Sequence, residues 1–128
     1  MSQSGLHRLG DLQLRILKVL WERREASVAD VHHVVAHPGP LAYTTIATML
    51  RKMEARDLVK HRTVGRSFIY RAIVEADHVS RGMAEHVLDG VFEGSVSAMV
   101  SHLLTAHEVS QDELVRLEEL IAQRRSES

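Results

Sequence analysis

Two adjacent stretches decide the fold of this 128-residue chain: residues 41–57, LAYTTIATMLRKMEARD, and residues 58–73, LVKHRTVGRSFIYRAI. When the first is placed on a helix at about 100° per residue, its large apolar side chains share one narrow sector: Ile46, Met49, Leu50 and Met53. The second holds two runs rich in Val, Thr, Phe, Ile and Tyr, separated by Val64-Gly65-Arg66, a pattern typical of a β-hairpin. The sequence therefore predicts a helix followed directly by a two-stranded hairpin.

Two more helices are predicted upstream of these stretches. Apolar residues recur at three- and four-residue spacing between Gly10 and Arg24, which indicates an amphipathic helix. Ser27-Val-Ala-Asp30 has the spacing of a capping box and opens a second helix, which Pro38-Gly39-Pro40 should end because proline cannot continue it. Three helices followed by a two-stranded hairpin is the element order of a winged helix-turn-helix domain.

The remainder of the chain is predicted to form three helices. Apolar residues repeat every fourth position from Val79 until Gly94, Ser95 caps a short helix, and Ser110-Gln-Asp-Glu113 has the spacing of a second capping box. We therefore predict a mainly α fold with a winged-helix domain over residues 1–74 and a three-helix domain over residues 75–128.

The predicted C-terminal domain carries more apolar surface than it can enclose. Three helices in about 50 residues bury little by themselves, so two copies of the chain are expected to associate and form a homodimer. The predicted dimerisation residues are Val79, Met83, Val87, Val91, Met99, Leu103, Leu114, Leu117 and Ile121. The alternative is that these helices pack back onto the first helix near Trp21 and leave a monomer.

The net charge of −1 conceals two oppositely charged halves. Residues 1–73 hold 12 Lys and Arg against 6 Asp and Glu, whereas residues 74–128 hold 4 against 11. A compact basic unit attracts polyanions such as nucleic acid. The charge division therefore favours a DNA-binding N-terminal domain.

The side of the third helix opposite its apolar sector has the residue types that a DNA-reading helix needs. Short hydroxyl groups stand near its N-terminal end and cations further along, so the backbone can approach base edges while arginine binds guanine or phosphate. The hairpin adds cations, of which Arg66 at the tip is best placed to reach a phosphate. Arg71 fits two alternatives, a phosphate contact or an ordinary exposed strand residue. The predicted DNA-binding residues are Thr44, Thr45, Thr48, Arg51, Lys52, Lys60 and Arg66.

Enzymatic and metal-dependent functions find no support in the sequence. The chain has nine histidines and no cysteine, but His32 and His33 diverge by about 100° on a helix, and neither they nor His102 and His107 belong to an HExxH motif. No nucleophile elbow or phosphate-binding glycine loop is present. We expect no metal site, no cofactor and no enzymatic activity.

The sequence also gives an expectation about location. No apolar run approaches the roughly 20 residues that a membrane span requires, and residues 1–5, MSQSG, lack the apolar core of a secretory signal. A cytoplasmic protein without membrane insertion is therefore expected.

Three segments carry a resemblance to a known family: LGDLQLRIL at residues 9–17 with Leu20-Trp21, SVADV at residues 27–31, and AYTTIATML at residues 42–50. Together they resemble the penicillinase-repressor (BlaI/MecI) family, which also includes the copper-responsive CopY repressors. The resemblance implies a cytosolic dimer that represses at inverted repeats of TACA/TGTA type. It also places Tyr43 with Thr44, Thr45, Thr48 and Arg51 in the DNA groove. Copper sensing is not expected, because the CopY cysteine cluster is missing.

The same resemblance implies a route of induction. In the antibiotic-responsive branch of the family, the repressor is released by cleavage of an Asn-Phe bond in the dimerisation domain, and a membrane-bound metalloprotease serves as sensor. The corresponding pair here is His102-Leu103, which departs from that pattern. Two other functions stay open: a winged-helix module used for protein contacts, and a regulator that binds an effector at the dimer interface.

Overall fold

The computed structural model describes residues 9–37 and 39–128 of the chain. The helices are α1 Asp11–Arg23, α2 Val28–Val35, α3 Tyr43–Ala55, α4 Ala76–Phe92, α5 Val96–Ala106 and α6 Gln111–Ser126. The strands are β1 Ala26–Ser27, β2 Val59–Val64 and β3 Ser67–Ala72. Residues 1–5 and Pro38, on which two of the sequence predictions depend, lie outside the described residues. The predicted mainly α fold with an N-terminal winged helix and a helical C-terminal region is confirmed.

The sheet has one strand more than the predicted hairpin. β1 pairs antiparallel with β3, through Ala26 opposite Tyr70, and gives the strand order β1-β3-β2. A strand of two residues is too short to show alternation of apolar and polar positions, so the sequence pattern does not reveal it. β2 and β3 form the wing, and their last pair, Val64 and Ser67, leaves Gly65 and Arg66 as the turn. Gly65 has a φ of +61°, which a glycine adopts without strain.

The predicted helix starts at serine are confirmed. The Ser27 hydroxyl accepts the Asp30 N–H at 3.0 Å, and the Asp30 carboxylate accepts the Ser27 N–H at 3.3 Å. Ser95 and Ser110 cap α5 and α6 in the same way, by accepting the N–H of Ala98 and of Glu113. Each cap satisfies backbone donors that have no partner within the helix.

The core of the N-terminal region lies where α1, α2 and α3 meet the sheet. Its most completely buried side chains are Ile16, Leu17, Leu20, Val31, Val35, Ile46, Leu50, Met53, Val59, Tyr70 and Val79. The three α3 residues in this set come from the predicted apolar sector, so α3 presents its opposite side to solvent. Met49, the fourth member of that sector, packs at the edge of the core.

Val79 and Met83, two of the predicted dimerisation residues, lie on the part of α4 that packs against the N-terminal core. Val79 is only 1% exposed within its own chain, and Met83 packs against the same N-terminal core. Val79 is therefore unavailable to a partner chain.

The fold divides into two compact units after His86, with Val87–Ser128 as the second unit, whereas the predicted boundary lay after residue 74. The reason is that the first turns of α4 belong to the N-terminal core.

The second unit has no core of its own. None of the residues 87–128 is buried, and its large apolar side chains stand exposed: Val87, Val91, Val96, Val100, Leu103, Leu104, Val115, Leu120 and Ile121. Within the described residues, no helix has the length and apolar character needed to cross a membrane.

Candidate nucleic-acid interface

The exposed side of α3 carries the residues predicted to read DNA. Thr44, Thr45, Arg51 and Lys52 are exposed, and Thr48 is partly buried. The Arg51 guanidinium lies 3.4 Å from the Thr48 hydroxyl, to which it can donate. This contact joins a cation and a hydroxyl one helical turn apart on the same surface. Both types of group bind base edges or phosphates.

A groove of about 270 Å³ runs between α3, the start of α2 and the wing. It is lined by Ser27, Val28, Ala29, Tyr43, Ala47, Arg51, Arg66, Ser67, Phe68 and Tyr70. The groove therefore brings together three of the predicted DNA-binding residues, Tyr43, Arg51 and Arg66, from two separate elements. Phe68 also lines it and is 43% exposed. Phe68 is not among the predicted DNA-binding residues, because an aromatic residue in a strand usually indicates a core position.

Lys60 is not brought to this groove. Side chains alternate between the faces of a strand, and the neighbouring Val59 and His61 point toward the core and α3. Lys60 therefore belongs to the opposite face of the hairpin, where it stands across from Arg71 of β3 in the strand register. The amino-acid types of β2 do not show which face of the strand is inward. For this reason the predicted set of DNA-binding residues contained Lys60 together with Arg66.

The turn between α2 and α3 is held by two polar side chains that are not among the predicted site residues. The Arg15 guanidinium donates to the backbone carbonyls of Val35 and His37, at 2.5 and 2.8 Å. The His32 ring nitrogen Nε2 donates to the Leu41 carbonyl at 2.7 Å. These bonds satisfy carbonyls that no longer have helical partners. They fix the approach of the chain to the start of α3.

Arg62 contacts Glu25 on the outer side of the wing. Its Nε and Nη2 atoms each lie 2.9 Å from a Glu25 carboxylate oxygen, which is the two-pronged geometry of a strong charge-assisted contact. The hydrogen bond from Arg62 lowers the pKa of Glu25, and the same bond raises the pKa of Arg62. This cation is therefore occupied within the chain.

A second contact joins the inner side of the wing to α3. The His61 ring nitrogen Nδ1 donates to Glu54 Oε1 at 2.7 Å, and the His61 ring stacks on Phe68 with centroids 4.2 Å apart. Tyr70 lies behind them, buried, with its ring centroid 5.3 Å from that of His61. Burial raises the pKa of Tyr70, the Glu54 charge raises it further, and Arg51 partly offsets both effects.

Histidines and acidic residues do not gather into a metal centre in the part of the chain that the structure describes. No group of three or more potential ligands occurs there. His32 instead binds a backbone carbonyl, and His102 has its ring against Phe92 at 5.7 Å.

The fold and the basic groove define a winged-helix transcriptional regulator, and the comparisons with known proteins agree. The chain belongs to the penicillinase-repressor family, because the family model described as "Penicillinase repressor" matches residues 9–123. The chain is also 30% identical over 120 residues to the transcriptional regulator BlaI of Mycobacterium tuberculosis. The aligned residues cover 92% of this chain and 86% of the relative. The protein is therefore a BlaI-like transcriptional repressor with a DNA-binding winged helix, and it is not an enzyme.

Two solved structures show the same fold. The solution structure of the DNA-binding domain of the repressor BlaI is 22% identical and has a TM-score of 0.51, covering 57% of this chain and 89% of that domain. A mutant MarR (C80S) from E. coli, solved in complex with operator DNA, is 11% identical with a TM-score of 0.52, covering 94% of this chain and 84% of MarR. Both similarities concern the fold.

Proposed function

We propose that this repressor acts in the cytoplasm as a homodimer that binds dyad operators of TACA/TGTA type and blocks the promoter. The observation that carries this proposal is the groove in which Tyr43 and Arg51 of α3 meet Arg66 of the wing. A helix in the major groove and a cation at the wing tip contact two different parts of one duplex. α3 reads bases, and Arg66 binds the neighbouring phosphates.

The exposed α3 residues suit this operator type. The threonine methyl groups can pack on thymine C5-methyl groups, and Arg51 can pair with guanine, all of which occur in TACA/TGTA repeats. The residues proposed to face the major groove of the DNA are Tyr43, Thr44, Thr45, Thr48 and Arg51, with Lys52 and Arg66 at phosphates. Lys60 lies on the other face of the wing and contributes through net charge alone.

The second unit supports the homodimer. An apolar groove of about 610 Å³ lies between α5 and α6, lined by residues that include Leu114, Leu117 and Ile121. Burial of apolar area favours association, and a symmetric pair places two reading helices on successive turns of DNA. Val79 and Met83 are left out because they pack against the core of their own chain. The proposed interface consists of Val87, Val91, Met99, Leu103, Leu114, Leu117 and Ile121.

Induction is proposed to proceed through cleavage between His102 and Leu103 by a membrane-bound metalloprotease that senses the signal. Both residues are exposed on α5, which supports access to this bond. The bond lies inside the helix Val96–Ala106, so α5 must open locally before a protease can act on it. Limited proteolysis of the purified chain with such a protease, followed by mass determination of the fragments, tests this step.

A band-shift titration against a dyad duplex tests the DNA-reading surface. Arg51→Ala should weaken specific binding by about 1–3 kcal/mol, because a base contact is lost, and Arg66→Ala should weaken binding to all sequences alike. Lys60→Ala is the matched control, since it removes the same charge from the opposite face of the wing. Equal losses for Arg51→Ala and Lys60→Ala would contradict the proposed interface.

The apolar groove of the second unit also favours a competing function, in which a small effector binds there. Calorimetric titration with candidate β-lactams distinguishes the two. If induction proceeds by proteolysis, the intact chain should show no heat of binding to these compounds. If the chain is an effector-binding regulator, it should show saturable binding.

A further inference from the structure

The wing contacts the rest of the N-terminal unit at points that differ in position and burial. At its base, β1 pairs with β3, and the Arg62–Glu25 pair lies on the outer face in solvent. On the inner face, His61 reaches Glu54 of α3. This inner contact joins the wing to the helix that carries the DNA-reading residues. It is therefore the contact best placed to set the spacing between the two.

The position of His61 along β2 gives this contact leverage over the wing tip. His61 lies three residues before Val64, the last paired residue of β2, so the tip extends roughly 10 Å beyond it at the rise of a strand. A small change of angle at His61 therefore displaces Arg66 by a much larger distance than it displaces the base of the wing.

The surroundings of His61 hold its ring in one orientation. The ring stacks on Phe68 at 4.2 Å with an interplanar angle of 24°, and it also contacts Tyr70. An ionised carboxylate accepts hydrogen bonds only, so Nδ1 carries the proton that is donated to Glu54. His61 and Glu54 are both about one-third exposed or less, which screens their interaction less than that of a fully exposed pair.

Glu54 lies close to the reading surface. It follows Arg51 by three positions on α3, and side chains three apart on a helix are neighbours. The contact therefore connects the wing to the same turn of α3 that presents Arg51 to the groove.

From this geometry, we propose that His61 and Glu54 are positioning residues that lock the wing to α3 and fix the separation between Arg66 and the DNA-reading residues. The proposal rests on the proposed function in one respect: the fixed separation serves to match the DNA backbone and the major groove at once. Neither His61 nor Glu54 contacts DNA in this account. Phe68 completes the lock by holding the imidazole in line.

The lock can be tested without DNA, because the chain contains no cysteine and accepts site-specific spin labels. Labels at Lys52→Cys and Arg66→Cys report the distance between α3 and the wing tip by pulsed electron resonance. Labelled chains are diluted into an excess of unlabelled chains so that only distances within one chain contribute. The parent should give a single narrow distribution. Glu54→Ala and His61→Ala should each broaden it, and Glu54→Gln, which keeps an acceptor oxygen, should fall between.

Asp77→Ala is the matched control, since it removes a carboxylate from an exposed pair with Arg81 on α4 and should leave the distribution unchanged. Denaturant unfolding of each variant establishes that it is folded. Distributions for folded Glu54→Ala and His61→Ala that coincide with that of the parent would overturn the proposal.

The DNA arm of the experiment measures how much the wing contact depends on the lock. Arg66→Ala should weaken operator binding about tenfold in the parent, the usual scale of a charged contact, and less than about threefold in Glu54→Ala. An equal penalty in both backgrounds would overturn the positioning role. A broadened distance distribution in Glu54→Ala, combined with no penalty for Arg66→Ala in the parent, would support the lock and contradict the proposed wing contact.

Discussion

Glu25 shows how one exposed residue adds a pH dependence to the fold. Its carboxylate accepts two hydrogen bonds from Arg62, and these lower its pKa from the ordinary value of 4.5. A carboxyl group whose pKa is lowered by folding stabilises the folded state above its ordinary pKa. That contribution is lost as the pH falls through the lowered value.

We therefore expect Glu25→Gln to remove part of the acid sensitivity of the chain. Urea unfolding of the parent should show a larger loss of stability between neutral pH and about pH 3 than unfolding of Glu25→Gln does. Arg62→Met should reproduce the effect, because it removes the guanidinium that donates to Glu25. The same loss of stability in the parent and in both variants would show that this pair contributes nothing to the folded state.

The start of α2 shows how a single cap supports an element that positions the DNA-reading helix. Ser27 and Asp30 exchange hydrogen bonds at the N-terminus of α2, and α2 packs against α3 in the core. A helix of eight residues is too short to be stable alone. Its cap and its packing must therefore stabilise it together.

Ser27→Ala should cost about 1 kcal/mol of the free energy of unfolding, as losses of helix caps usually do. Chemical denaturation with an unchanged slope measures the loss. Ser80→Ala, at an exposed position inside α4, is the matched control and should not lower the stability. A loss for Ser80→Ala as large as that for Ser27→Ala would contradict the role assigned to the cap.

The elements that sequence reasoning predicts are those with a local signature. α3 has a clean apolar sector, and the serine caps have fixed spacing, so their positions follow from the chain itself. Contacts between distant segments determine three other features: strand β1, the hydrogen bonds from Arg15 to the α2–α3 turn, and the burial of Val79. No local pattern encodes such contacts. The same limit explains Lys60, whose face is decided by which neighbours enter the core.

At the scale of the whole molecule, the second unit explains why the chain should pair. Residues 87–128 contain no buried side chain, and Ile121 in the α5–α6 groove is 55% exposed. Exposed apolar patches of this kind mark association surfaces. In the proposed function, the basic first unit binds DNA and the acidic second unit forms the interface with a second copy of the chain.

Ile121→Glu should convert the proposed dimer into monomers, because it places a charge in the apolar interface. Sedimentation velocity at micromolar concentration measures this change. Val115→Glu is the matched control, since Val115 is 52% exposed on α6 but does not line the groove, and it should remain a dimer. Dimers of equal stability for both variants would exclude this groove as the interface.

The most direct test of the account is a band-shift titration of the parent chain, at physiological salt, with a duplex that carries a TACA/TGTA dyad and with a scrambled duplex of the same composition. We expect a preference of at least about 10³ for the dyad, the usual range of specific over non-specific binding, and a steep loss of affinity as salt rises. Equal affinity for the two duplexes would contradict the claim that α3 and the wing read an operator.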